Sequence, residues 1–177
     1  RSFLLNGLKS LEYRGYDSAG IATITDSNFN LYRCVGRVEE LEKKVPSNLP
    51  GFTGIGHTRW ATHGEPLERN CHPHVSYNNI FAIVHNGVIE NFQELKNELL
   101  NEGFKFNSDT DTEVIANVLE QEYSKTNNVL ESINNTLKRI DGSLAIAILF
   151  NGDEHKIYFA RRKSPLLIGI GKETNYL

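Results

Sequence analysis

Methionine is absent from all 177 residues, and the chain holds one tryptophan and two cysteines. Without a methionine there is no translation start, so the sequence is expected to be a piece of a longer polypeptide. It opens inside a helical pattern, Arg1-Ser2-Phe3-Leu4-Leu5, and closes on Asn175-Tyr176-Leu177 without a turn. The cysteines, Cys34 and Cys71, have no CxxC spacing. That excludes a disulfide scaffold and points to a reducing, cytoplasmic setting. No secretory signal is present. The longest apolar run, residues 144–150, is strand-sized, which argues against a membrane-embedded chain. A basic excess is also lacking: the formal net charge is -3, so nucleic acid is not the expected partner. No GxGxxG or GK[ST] loop cradles a phosphate, since Gly15, Gly20 and the pair Gly169/Gly171 lack that context. There is no internal repeat and no low-complexity segment.

What remains has the composition of a globular protein, long enough for one domain with a full core. Leucines 4, 5, 8 and 11 predict a helix over residues 2–12. Residues 19–25 and 30–35 read as a hairpin around Asp26-Ser27-Asn28. Residues 37–45 form a short charged helix ended by Pro46. A strand over 53–57 follows, then a buried strand over 80–84 with His85-Asn86-Gly87 at its end. Asn91-Phe92-Gln93-Glu94 resembles a capping pattern for a helix running to Gly103. Helices over 112–123 and 129–140 precede strands over 143–150, 155–161 and 166–170, with Asn151-Gly152 as a hairpin turn. Hairpins outnumber βαβ crossovers, so the fold class is α+β with antiparallel sheets.

Chemistry concentrates in three places. Gly56 to Gly64 (GHTRWATHG) lacks the alternation of a packing segment and supplies a planar cation, hydroxyls and an aromatic lid. Arg59 is suited to grip a carboxylate through two parallel hydrogen bonds, or else to form a surface salt bridge. Asp111 either pairs with an ammonium group or caps the helix that follows it. Asn86 and Gly87 supply a side-chain amide and a backbone N–H, the parts of an oxyanion hole or of an ordinary Asn-Gly turn. His57, His63, Cys71, His72 and His74 carry zinc-ligand types, but their spacing matches no zinc framework and no metal is assigned. A buried thiol is the default for Cys71, because a nucleophile needs a base in defined geometry. Three readings stand: an enzyme acting on a small amino-acid ligand, a non-catalytic module that binds one, and a metal-binding domain.

Those clusters, together with Tyr13-Arg14-Gly15-Tyr16-Asp17-Ser18-Ala19-Gly20, resemble the glutaminase domain of glutamine–fructose-6-phosphate aminotransferases, a class II glutamine amidotransferase domain. The resemblance covers residues 1–177 as one domain whose first strand and C-terminal part lie elsewhere, along with the sugar isomerase domains. Amidophosphoribosyltransferases share the domain with different motifs at both places and are the alternative. The resemblance implies an N-terminal-nucleophile hydrolase fold, a four-layer αββα sandwich with two antiparallel sheets. It implies L-glutamine as substrate, no cofactor, and a homodimer or higher assembly. Arg59 would bind the glutamine α-carboxylate with help from Thr62 and His63, and Asp111 the α-ammonium. Asn86 and Gly87 would form the oxyanion hole, and Trp60 would help close the site. Arg14 and Gly15 would position the nucleophile, a cysteine at the mature N-terminus of the family that is not among these residues.

Overall fold

The computed structural model describes residues 1–60 and 65–177. Its layers follow from strand alternation. Strand β1 (Ser18–Thr25) runs antiparallel to both β2 (Asn28–Val35) and β3 (Thr53–Arg59), giving a sheet in the order β2-β1-β3. Asp26 and Ser27 both take positive φ, 49° and 60°, the geometry of a tight hairpin turn that matches strand twist. Ala19 and Ile21 project to one face of β1, against helix α1 (Ser2–Leu11) and helix α2 (Val38–Lys44), where Leu5, Leu8, Val38 and Leu41 complete an apolar cluster. Helix α2 carries Glu39 and Glu40 in its first turn and Lys43 and Lys44 in its last, each sign facing the helix end it favours.

A second sheet has the order β4-β5-β6-β7, also antiparallel, from β4 (His74–Val75), β5 (Phe81–Ile89), β6 (Gly142–Phe150) and β7 (Asp153–Arg162). Phe81, Ile83 and Ile89 of β5 and Leu144, Ile146 and Ile148 of β6 face helices α3 (Phe92–Asn101), α4 (Asp111–Thr126) and α5 (Val129–Arg139). The opposite faces of the two sheets meet through Ala22, Ile24, Ile55, Ala82, Val84 and Leu149. The result is helix, sheet, sheet, helix. A small pairing of β8 (Gly169–Ile170) with β9 (Asn175–Tyr176) follows.

Helix α4 is buried along its first twelve residues, polar ones included. Glu113 accepts from the backbone N–H groups of Asn107 and Ser108 (2.8 and 2.6 Å), and the Asn117 side-chain oxygen accepts from the Tyr77 N–H (2.8 Å). These buried acceptors are satisfied by the loops that flank the site, and so hold those loops in place.

Five sequence expectations change. Strand β5 does not stop at Val84: it runs to Ile89, with Asn86 opposite Ala145 and Gly87 opposite Leu144, so Asn86-Gly87 is not a turn. Strand β3 likewise includes Arg59 as its last residue. Asn91 does not cap α3 through its side chain; it bonds the Arg139 carbonyl and the Asp141 N–H, tying the start of α3 to the end of α5. Asp111 is not the cap of α4. Thr110 is, accepting from the Glu113 N–H at 3.4 Å, while Asp111 begins the helix proper. The strand expected over 166–170 shrinks to its last two residues. The Asn151-Gly152 hairpin is present, joining β6 to β7.

Candidate active site

Along β3, residues 55, 57 and 59 share one face, and along β5 so do residues 82, 84 and 86. Both faces belong to the layer between the sheets. Deep in that layer the residues are Ile55, Ala82 and Val84. One step further along each strand they become His57, Arg59 and Asn86, so the apolar layer opens into a polar pocket at its edge. His57 Nε2 and Asn86 Oδ1 lie 3.0 Å apart and join the two sheets there.

The pocket encloses about 230 Å³, and its wall includes Arg14, Arg59, Trp60, Asn86, Gly87 and Asp111. That is smaller than the ~300–1,000 Å³ of drug-sized sites and suits a single amino acid. Arg59 is buried, at 4% exposure, and its backbone carbonyl accepts from the Asp17 N–H at 3.2 Å. Gly15 presses against the same peptide: a Cβ there would sit 2.7 Å from the Arg59 carbonyl carbon. This close approach brings the turn Glu12–Arg14, with Arg14, into the pocket wall. Trp60 is exposed and makes an edge contact with Tyr16, ring centroids 5.5 Å apart.

Asp111 enters from the other sheet's helices. Its Oδ2 accepts from the Ile89 N–H at 3.0 Å and lies 4.0 Å from His85 Nδ1, which locks the first turn of α4 to the end of β5. Six of the residues expected at the site, Arg14, Arg59, Trp60, Asn86, Gly87 and Asp111, therefore line one cavity, and Gly15 backs it. Thr62 and His63 lie outside the described residues.

His57, His72 and His85 line the floor, and His74 packs behind them. His57 stacks on His72 with centroids 4.3 Å apart, and His72 meets His74 edge-on at 4.8 Å. The Thr112 hydroxyl lies 2.8 Å from His72 Nε2 and 3.1 Å from His85 Nδ1; Thr110 Oγ1 lies 3.0 Å from His74 Nε2. Burial disfavours the charged imidazolium and lowers all four rings. His57 falls to about 4 despite its bond to Asn86, His74 to about 3, and His72 well below the usual value. His85 is lowered by burial, against the pull of Asp111. At neutral pH the floor is uncharged, and the arginines and Asp111 set the field. Among the described residues, no group of three or more His, Cys, Asp or Glu is arranged to hold a metal.

Both cysteines are buried with free thiols, and burial raises each pKa. The Cys71 thiol donates to the carbonyls of Cys34 and Leu67, so it is a packed group and not an activated nucleophile. Sequence reasoning missed the pairing of His57 with Asn86 and the anchoring of His72, His74 and His85 on Thr110 and Thr112. The sequence reading ended the strand at His57, short of Arg59, and no local pattern says which sheet would face either residue.

A glutamine amidotransferase domain model matches residues 57–176. The chain is 52% identical, over 98% of its length, to the glutamine–fructose-6-phosphate aminotransferase [isomerizing] of Pyrococcus horikoshii, and 50% identical, over 99%, to that of Francisella tularensis. It spans about 29% of the length of either relative. Among solved structures it resembles glutamine phosphoribosylpyrophosphate amidotransferase from B. subtilis, complexed with ADP and GMP, at 31% identity. The TM-score is 0.71, covering 83% of this chain and 32% of that one. No helix among the described residues is long and apolar enough to cross a membrane.

Proposed function

Because this chain belongs to the glutamine amidotransferase family, we propose that its 177 residues are the glutamine-hydrolysing domain of a larger cytoplasmic enzyme. Its α+β architecture, two antiparallel sheets between helical layers, is that of the N-terminal-nucleophile amidotransferases. The ammonia released would aminate fructose 6-phosphate to glucosamine 6-phosphate on sugar isomerase domains of the same polypeptide, in a homodimer or higher assembly. The reading is favoured over an amidophosphoribosyltransferase because the aminotransferase relatives are 52% and 50% identical, against 31% for that solved structure.

One observation carries the assignment of roles: a cation, a carboxylate and an amide with an adjacent strand N–H share one amino-acid-sized pocket. Arg59 takes the α-carboxylate of L-glutamine and Asp111 the α-ammonium, so the side-chain amide is directed along the pocket. A cysteine from outside these residues, placed beside Arg14 and Gly15, attacks the amide carbon, with its own α-amine as base. The carbonyl oxygen gains the negative charge and is held by the Asn86 amide and the Gly87 N–H. Collapse expels ammonia and leaves a thioester, and water then releases glutamate. Trp60, exposed at the mouth, helps close the site. Thr62 and His63 assist at the carboxylate.

The test is Arg59→Ala in the full-length polypeptide. Glutamine KM should rise by about two orders of magnitude, in line with loss of a charge-assisted bidentate pair. Turnover with free ammonia, where the enzyme accepts it, should be spared. Unchanged glutamine kinetics would contradict the carboxylate role.

A further inference from the structure

We propose that His57 is the positioning residue that orients the Asn86 amide, holding its oxygen inward and its NH2 toward the reacting carbonyl. The inference rests on the glutaminase reading above.

A primary amide has one face that only accepts and one that only donates. A half-turn of the Asn86 side chain exchanges them with little change in shape. Only the donor face stabilises an oxyanion; the acceptor face would repel it. Something outside Asn86 must make the choice. His57 Nε2 lies 3.0 Å from Asn86 Oδ1, across the gap between the sheets. Because that oxygen cannot donate, the bond requires the proton on His57 Nε2. With the proton on Nδ1 instead, the Nε2 lone pair would face the amide oxygen, and the side chain would turn its NH2 away from the pocket.

The ring is fixed well enough to impose this. It stacks on His72, which is buried at 6% exposure and bonded to Thr112 at 2.8 Å. His74 packs edge-on behind His72 and is bonded to Thr110. Thr110 and Thr112 flank Asp111 at the start of α4. One turn of helix therefore anchors the carboxylate at one end of the ligand and, through two imidazoles, the amide at the other.

The experiment compares His57→Leu, His57→Gln, Asn86→Ala and the double variant His57→Leu/Asn86→Ala in the full-length polypeptide. Glutamine hydrolysis is measured, together with binding of glutamate and of the γ-aldehyde analogue of glutamine. The cysteine thiol adds to that aldehyde to give a tetrahedral hemithioacetal. Removing one oxyanion donor costs about 10²–10³ in kcat. His57→Leu should approach that loss with KM and glutamate affinity nearly unchanged, and aldehyde affinity should fall in step with kcat. The double variant should be no worse than Asn86→Ala, since both remove one donor. His57→Gln, whose amide N–H reaches the position of Nε2, should recover much of the rate. Additive losses, or a Gln variant no better than Leu, overturn the proposal. Should the Leu variant fail to fold, the ¹⁵N shifts of His57 in the wild-type protein decide: a proton on Nδ1 and not Nε2 sinks it. A wild-type protein without glutaminase activity removes the functional reading and this one with it. An active wild type with indifferent His57 variants removes this one alone.

Discussion

The layer between the sheets has two ends built from the same strands on the same alternating faces, with opposite chemistry. At one end Ile24, Ile55 and Leu149 are nearly excluded from solvent and close the layer. At the other, His57, Arg59 and Asn86 open it. A two-residue step along β3 or β5 takes the chain from a position that must be apolar to one that must be polar. The lesson is about division of labour: the closed end contributes the burial that holds the sheets together, and the open end inherits their rigidity. Polar groups placed on paired strands are held more precisely than groups on loops.

The sharpest way to break this division is Gly87→Ala. Gly87 is at the open end, yet its φ of +143° and the Ser143 carbonyl of the neighbouring strand leave no room for a Cβ. The obstacle is backbone, so the sheet itself must move, and a loss of roughly 4 kcal/mol or more is expected. A urea titration checks it; unchanged stability would mean the strand is not held as described.

Ile24→Ala tests the closed end. It should lower stability by about 3 kcal/mol through lost burial and a cavity. Glutamine KM and kcat of the full-length polypeptide should stay at wild-type values wherever the variant remains folded. A change in KM at that distance would show that the two ends are not separable.

Acidification probes the floor beneath the open end. His74 has an ordinary value of 6.5 and a folded value of about 3, because burial excludes the charge. The unfolded chain therefore binds the extra proton first. The contribution to stability is full above about pH 6.5 and declines as the pH falls toward the folded value. By pH 5 the loss from His74 alone is about 2 kcal/mol, since each pH unit in that window is worth about 1.4 kcal/mol. Denaturant midpoints at pH 7.5 and pH 5 measure it. His74→Gln, which cannot titrate, should show a shallower pH dependence. An equal slope in both would place the titrating groups elsewhere.

Thr110→Ala is the mildest test. It removes the N-cap of α4 and should cost about 1 kcal/mol of stability. The same hydroxyl braces His74, so a somewhat larger loss, accompanied by slower glutamine turnover, would sharpen the link between helix start and histidine floor.

Much of the fold was legible because alternation and helical spacing report burial directly. The strand over 80–84 is an example of where that signal stops. Its apolar run ends at Val84, so the pattern suggested a strand end, whereas pairing with β6 carries the strand through Asn86 and Gly87 to Ile89. Local composition could not reveal a partner sixty residues away. Asp111 shows the same limit at the site. An aspartate just before a helix is the ordinary signal for a cap, and the structure instead gives the cap to Thr110 and turns Asp111 toward Ile89 and the pocket. Asn91 repeats the lesson: its side chain prefers a distant carbonyl and N–H to its own helix.

The amino-acid sequence by itself determined the α+β class, most element positions, the neutral-to-acidic surface and the residue types able to hold a zwitterion. Those depend on periodicity, charge and functional groups, which are local properties. Only the tertiary structure decided that Arg59, Asn86 and Asp111 border one cavity, and that His57 meets Asn86 across it. The reason is that two sheets must stack before residues nearly thirty positions apart can come within hydrogen-bond distance, and no local pattern encodes which faces will meet.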